Sequence, residues 1–153
     1  MIPVFSNLGT LPHGEHPITW TELLEQFGTN THRAMLLGGL RAALESLHQA
    51  GCVRVWIDGS FCTSKEQPGD IDVAYDDANL DWAKLKTLEP TLLDFSNARA
   101  AQKRKFKCEF FAVSWAAEPD GTSFLDFFQR DRNGQPKGIL VLELENLESG
   151  GNR

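Results

Sequence analysis

Residues 55–75, VWIDGSFCTSKEQPGDIDVAY, carry the reading that decides the fold. The stretch CVRVWID (52–58) has the β-branched and aromatic content of a buried strand, and IDVAY (71–75) reads as a second. The first strand ends in Gly59-Ser60, nine residues intervene, and Asp70-Ile71-Asp72 opens the second. Gly59 has no side chain, so the backbone can turn sharply and bring its amides close to a phosphate, while Ser60 offers a short hydroxyl to the same oxygens. A short helix starting there would add a favourable dipole. Asp70 and Asp72 stand two apart, so on a strand both carboxylates project from one face and Ile71 points into the core. Two unit charges 4 Å apart repel by about 1 kcal/mol in water and about 4 kcal/mol at an effective dielectric of 20, so such a pair calls for a proton or a cation. Magnesium, or manganese in its place, fits: it takes oxygen ligands and commonly bridges carboxylates to substrate phosphates.

Working outward, Thr19-Trp20-Thr21-Glu22 fits a capping box that opens a short helix to about Phe27, with Gly28 as its stop. Asn30 or Thr31 can cap a longer helix to about Ala50, whose core stripe is Leu37, Leu40, Leu44 and Leu47. Gly38-Gly39 inside it is unfavourable by about 1 kcal/mol per glycine relative to alanine, which predicts a close backbone approach. Downstream, residues 81–100 read as helical in one or two pieces broken near Pro90, KCEFFAVSW (107–115) as a third strand, and FLDFFQR (124–130) as a short amphipathic helix. DRNGQPKG (131–138) is turn chemistry, GILVLEL (138–144) a closing strand, and ESGGNR (148–153) a frayed tail. LPHGEHP (11–17) reads as an extended loop. Helices interleaved with these strands give an α/β (α+β) chain, a mixed sheet of three to five strands flanked by helices.

The 153 residues, 41% hydrophobic with ten Phe and four Trp, suffice for one domain over residues 1–153. Within it, 1–30 form an N-terminal extension and short helix, 35–115 the core, and 123–145 the closing helix and strand. A net charge of −6 argues against a protein that grips nucleic acid through its whole surface. Basic character is local: Lys103, Arg104, Lys105 and Lys107 either face polyphosphate or RNA, or form a solvated turn leading into a strand. Cys52, Cys62 and Cys108 show no CxxC pair and read as reduced, buried thiols. No basic start with an apolar run, and no stretch of about 18 apolar residues, points to a leader or a membrane span. The expectation is a soluble, cytoplasmic protein without membrane partners. His13 and His16 have no third ligand near in sequence and read as loop residues capping backbone groups; the four Trp read as core.

Gly-Ser, a spacer of about ten and Asp-x-Asp between apolar residues resemble the nucleotidyltransferase superfamily related to DNA polymerase beta, which includes minimal antitoxin and aminoglycoside nucleotidyltransferases. That likeness spans residues 35 to 115; with LPHGEHP and FFQRDRNGQPKGIL, the whole chain resembles a family of small bacterial and phage proteins assigned to that superfamily. The resemblance implies a third carboxylate on the next core strand, where Glu109 in KCEFFAV is the matching position; a strand-end charge facing solvent is the alternative. It further implies metal at Asp70, Asp72 and Glu109, and phosphate contacts at Gly59, Ser60, Lys65, Lys103 and Lys105. Asp58 is a weaker candidate that can simply cap the turn, and Lys137 can approach a phosphate. The activity so implied is Mg²⁺-dependent transfer of a nucleoside monophosphate from a triphosphate, ATP first, to a hydroxyl of a protein, RNA or small molecule. A toxin-like protein partner or a dimer mate would supply the acceptor surface. The alternative is a catalytically silent binding protein on the same fold, an antitoxin or a phage- or defence-associated module.

Overall fold

The computed structural model describes residues 5, 9–131, 133–145 and 147. The tail at 148–153 lies outside them. Helix α1 (Trp20–Phe27) starts from the capping box: Glu22 N–H donates to the Thr19 hydroxyl over 3.1 Å and Thr19 N–H to the Glu22 carboxylate over 2.9 Å. Helix α2 (Thr31–Gln49) is capped by Asn30, whose side chain accepts from the amide of Arg33. Leu37, Leu40, Leu44 and Leu47 are fully buried along it, as their spacing requires. The two glycines of α2 differ. A Cβ on Gly39 would stand 2.2 Å from the backbone oxygen of Phe106, so a helix crosses there at backbone distance, whereas Gly38 faces open space.

Five strands make one mixed sheet in the order β1-β5-β2-β3-β4. Strand β2 (Arg54–Asp58) runs antiparallel to β3 (Ile71–Tyr75), and β4 (Cys108–Ala112) lies parallel on the far side of β3. Strand β5 (Gly138–Glu143) inserts on the other flank of β2, antiparallel to it, and β1 (Gly14–Pro17) pairs parallel to β5. LPHGEHP is therefore not wholly a loop: residues 14–17 of it form an edge strand, an assignment that pairing with β5 makes and local composition does not. Residues 81–100, expected in one or two helical pieces, divide into α3 (Trp82–Leu88), a single 3₁₀ turn at Pro90–Leu93 and the start of α4 (Ser96–Phe106). Helix α4 opens with Asn97, Ala98 and Arg99 at positive φ and runs on through the basic residues, so Lys103, Arg104 and Lys105 sit on its last turn. That corrects the alternative of a basic turn at these three positions. Lys107, the left-handed cap that follows, is the only one of the four in a turn.

The sheet's pleat assigns its two faces. Val55, Ile57, Ile71, Val73, Tyr75, Phe110, Leu140 and Leu142 turn toward the helices and fill the main core. Trp56, Ala74 and Ile139, with Phe124 and Phe128 of the short helix α5 (Phe124–Phe128), make a smaller apolar layer on the opposite face. The three cysteines are free and buried, and desolvation pushes the Cys52 thiol up to about 11. Among the described residues no helix is long and apolar enough to cross a membrane.

Candidate active site

Register brings the acids together. Asp58, the last residue of β2, pairs with Asp72 of β3, and Asp72 pairs with Glu109 of β4. Residues directly opposite one another on neighbouring strands share a face, so three carboxylates stand side by side across β2, β3 and β4 on the face that α5 covers only in part. Asp70 precedes β3 by one residue, and its charge is near enough to raise the proton affinity of Asp72.

The outer two acids of the row each carry a lysine. Lys137 donates to Asp58, and both side chains are nearly sealed from solvent, at 12% and 7% exposure. Lys103 lies 3.8 Å from Glu109 in a more open pair. Asp72, between them, has no ion pair among the described residues. Burial first, then the charges of Asp58, Glu109 and Asp70, push its carboxyl up from 3.8 to about 7, and Lys137 offsets only part of this. Asp58 is also pushed up by burial, against the pull of Lys137.

Directly beside the acids, rather than across from them, Gly59 takes φ 91° and leads into a single 3₁₀ turn, Ser60–Cys62. A Cβ on Gly59 would meet the backbone oxygen of Asp70 at 3.0 Å and the amide nitrogen of Asp72 at 3.2 Å, so both conformation and space require glycine. The Ser60 hydroxyl accepts from the Gly69 amide over 3.2 Å, tying the start of the connecting loop to its end. Asp58, Gly59, Ser60, Asp72, Arg130 and Lys137 line one open cleft of about 790 Å³, a volume in the range of small-molecule sites.

The loop between the Gly-Ser turn and β3 is held from α2. Arg33, 4% exposed, donates to the carbonyls of Phe61 (2.8 Å), Thr63 (2.6 Å) and Lys65 (2.6 Å), with its guanidinium 5.0 Å from the centre of the Phe61 ring. The His32 ring meets the Pro68 carbonyl at 2.5 Å and Asn30 donates to that of Glu66 over 2.8 Å. One helix end thus satisfies loop carbonyls that would otherwise be left without partners.

Of the residues singled out from sequence, Asp72, Gly59 and Ser60 line the cleft and Glu109 adjoins Asp72. Lys103 reaches the row through Glu109. Lys105 lies elsewhere, clasped by both oxygens of Glu89 at 2.7 and 2.8 Å, and the Lys65 side chain is exposed outside the cleft lining. His16 rests on the Pro12 carbonyl at 2.6 Å. Sequence reasoning undervalued Asp58 and Lys137 and passed over Arg33. The one signal available for Asp58 was its place at the end of a strand whose partner begins with Asp-x-Asp.

The donors present are hard carboxylate oxygens, the chemistry that magnesium or manganese takes. Among the described residues no three His, Cys, Asp or Glu side chains are grouped so that they could hold a metal ion, so Asp70, Asp72 and Glu109 do not form the three-carboxylate site expected from sequence. Burial and the neighbouring acids drive Asp72 toward its neutral form, a penalty that a bound cation would relieve.

The fold and cleft define an α/β chain with a row of carboxylates beside a Gly-Ser turn. By sequence it belongs to a family of unknown function, DUF6932, whose pattern matches residues 3–143. No curated protein and no solved structure matches the chain.

Proposed function

We propose that this chain is a divalent-cation-dependent nucleotidyltransferase that moves a nucleoside monophosphate from a triphosphate, ATP first, to a hydroxyl acceptor on a protein, RNA or small molecule. The observation that carries the reading is the central acid of the row: Asp72, flanked in register by Asp58 and Glu109 and without an ion pair of its own among the described residues, beside a glycine turn that only a side-chain-free residue can make. A magnesium or manganese ion taken up at Asp72 with the substrate's phosphates, with Asp70 and Glu109 drawn in as further ligands, would neutralise developing negative charge on the phosphates.

The chain's own groups account for the remaining parts. The turn at Gly59-Ser60 presents a short hydroxyl and close backbone to phosphate oxygens. Glu109, in register beside Asp72 and 23% exposed in its side chain, would either complete the cation's ligands or accept the proton of an incoming hydroxyl. The acceptor oxygen forms a bond to the α-phosphorus, the bond to the leaving pyrophosphate breaks, and the proton passes to the carboxylate. The cleft is open to solvent, which leaves room for an acceptor carried by a partner protein or a second copy of the chain.

The test is transfer of labelled nucleotide by the native chain and by the Asp70→Asn/Asp72→Asn double variant, with Mg²⁺ or Mn²⁺. Incorporation that vanishes in the folded double variant is expected. A native chain that neither transfers label nor gains thermal stability from saturating nucleotide and Mg²⁺ would overturn the reading and favour a silent binding protein.

A further inference from the structure

We propose that Lys137 is the residue that grips the substrate's phosphates in this cleft, and that its pairing with Asp58 is the resting position of a substrate-binding group. This rests on the nucleotidyltransferase reading and adds to it a residue outside the Gly-Ser and Asp-x-Asp stretch.

Three observations carry it. Lys137 is almost buried, at 12% exposure of its side chain, yet it lines the cleft rather than the core. A buried ammonium is expensive to desolvate, and a surface position for this turn residue would have avoided the penalty. Its partner is Asp58, the residue next to Gly59, so the ammonium stands beside the turn that would receive the phosphates. Finally, the charges lining the cleft among the described residues are Asp58, Asp72, Glu118 and Asp131 against Arg130 and Lys137. A polyanion entering so acidic a cleft needs fixed positive charge, and of the two cations Lys137 is the one seated beside the Gly-Ser turn.

The consequence is a partial independence from metal. Where divalent ions supply all the positive charge, nucleotide binding collapses on chelation; with Lys137 in place, a phosphate chain exchanges for Asp58 as the partner of the ammonium and binding persists. A charge-assisted hydrogen bond of this kind corresponds to roughly 10- to 100-fold in affinity.

Calorimetric titration with ATP and with inorganic triphosphate, each in EDTA and in Mg²⁺, tests the assignment. The variants are Lys137→Met, which keeps the length and removes the charge, and Asp58→Asn/Lys137→Met, which removes both members of the pair so that Asp58 is not left without its partner, and guards against simple unfolding. The native chain should bind both ligands in EDTA. Both variants should bind both ligands at least about tenfold more weakly, by a similar factor for each, because the group reads phosphate and not base. If the double variant binds like the native chain, the pair is only a structural tie and the assignment fails while the nucleotidyltransferase reading stands. If the native chain binds neither ligand under either condition, both fail together.

Discussion

Replacing Asp72 by Asn should make this protein more stable while removing the group on which its proposed chemistry depends. In the folded chain Asp72 keeps its proton up to about pH 7, whereas unfolded it releases it near 3.8. Between those values folding takes up a proton, so stability falls as pH rises; the penalty is absent below 3.8 and complete above about 7. A shift of that size corresponds to about 4 kcal/mol at 1.36 kcal/mol per unit, and water in the open cleft screens it to roughly half. Asparagine has nearly the shape of the neutral acid and no charge to be repelled by Asp58, Glu109 and Asp70. The variant should therefore gain about 2 kcal/mol at pH 8, a rise of roughly 4–8 °C in Tm for a chain of this length. The gain should shrink to about half at pH 4.5, where part of the penalty has gone. Thermal unfolding followed by circular dichroism at the two pH values measures both quantities. An Asn variant no more stable than the native chain at pH 8, or a gain that does not change with pH, would mean that Asp72 is not under the electrostatic load described. A stability sacrificed at a site is a common signature of function, since groups suited to a ligand are ill matched to one another in its absence.

The two adjacent glycines of α2 should respond oppositely. Gly38→Ala enters open space and should stabilise by about 1 kcal/mol through helix propensity, while Gly39→Ala drives a methyl group into the Phe106 carbonyl and should destabilise by about 2 kcal/mol or more; denaturant melts of the pair check both signs. Arg33→Met should lower stability by about 3 kcal/mol because the carbonyls of Phe61, Thr63 and Lys65 lose a buried donor, and Arg33→Lys should not restore it, since one ammonium cannot span three acceptors. Hydrogen exchange should then show faster opening of residues 61–69 in both Arg33 variants, and unchanged protection there would refute the clasp.

What was legible in the sequence was local. The capping box at Thr19 and Glu22, the leucine stripe of α2 and the strand character of residues 71–75 depend on partners three or four residues away or on the alternation of a single strand, so spacing alone reveals them. The glycine before Ser60 and the acids at 70 and 72 were visible for the same reason. The helical reach of residues 100–106 was less so, because its left-handed opening at 97–99 and its packing at Gly39 are tertiary facts.

The sequence by itself determined which residues could be acidic, turning or helical, since those properties belong to single side chains and short periodicities. Only the tertiary structure decided which of them meet. Asp58 and Lys137 lie 79 positions apart and come together because β5 lodges against β2; Arg33 finds its carbonyls 28 to 32 positions on. Glu109 stands beside Asp72 because β4 is parallel to β3 in one register, and a slip of a single residue would turn its side chain to the helix-covered face. Pairings of that kind are settled by the burial of the whole sheet, a free energy that no short window of sequence contains.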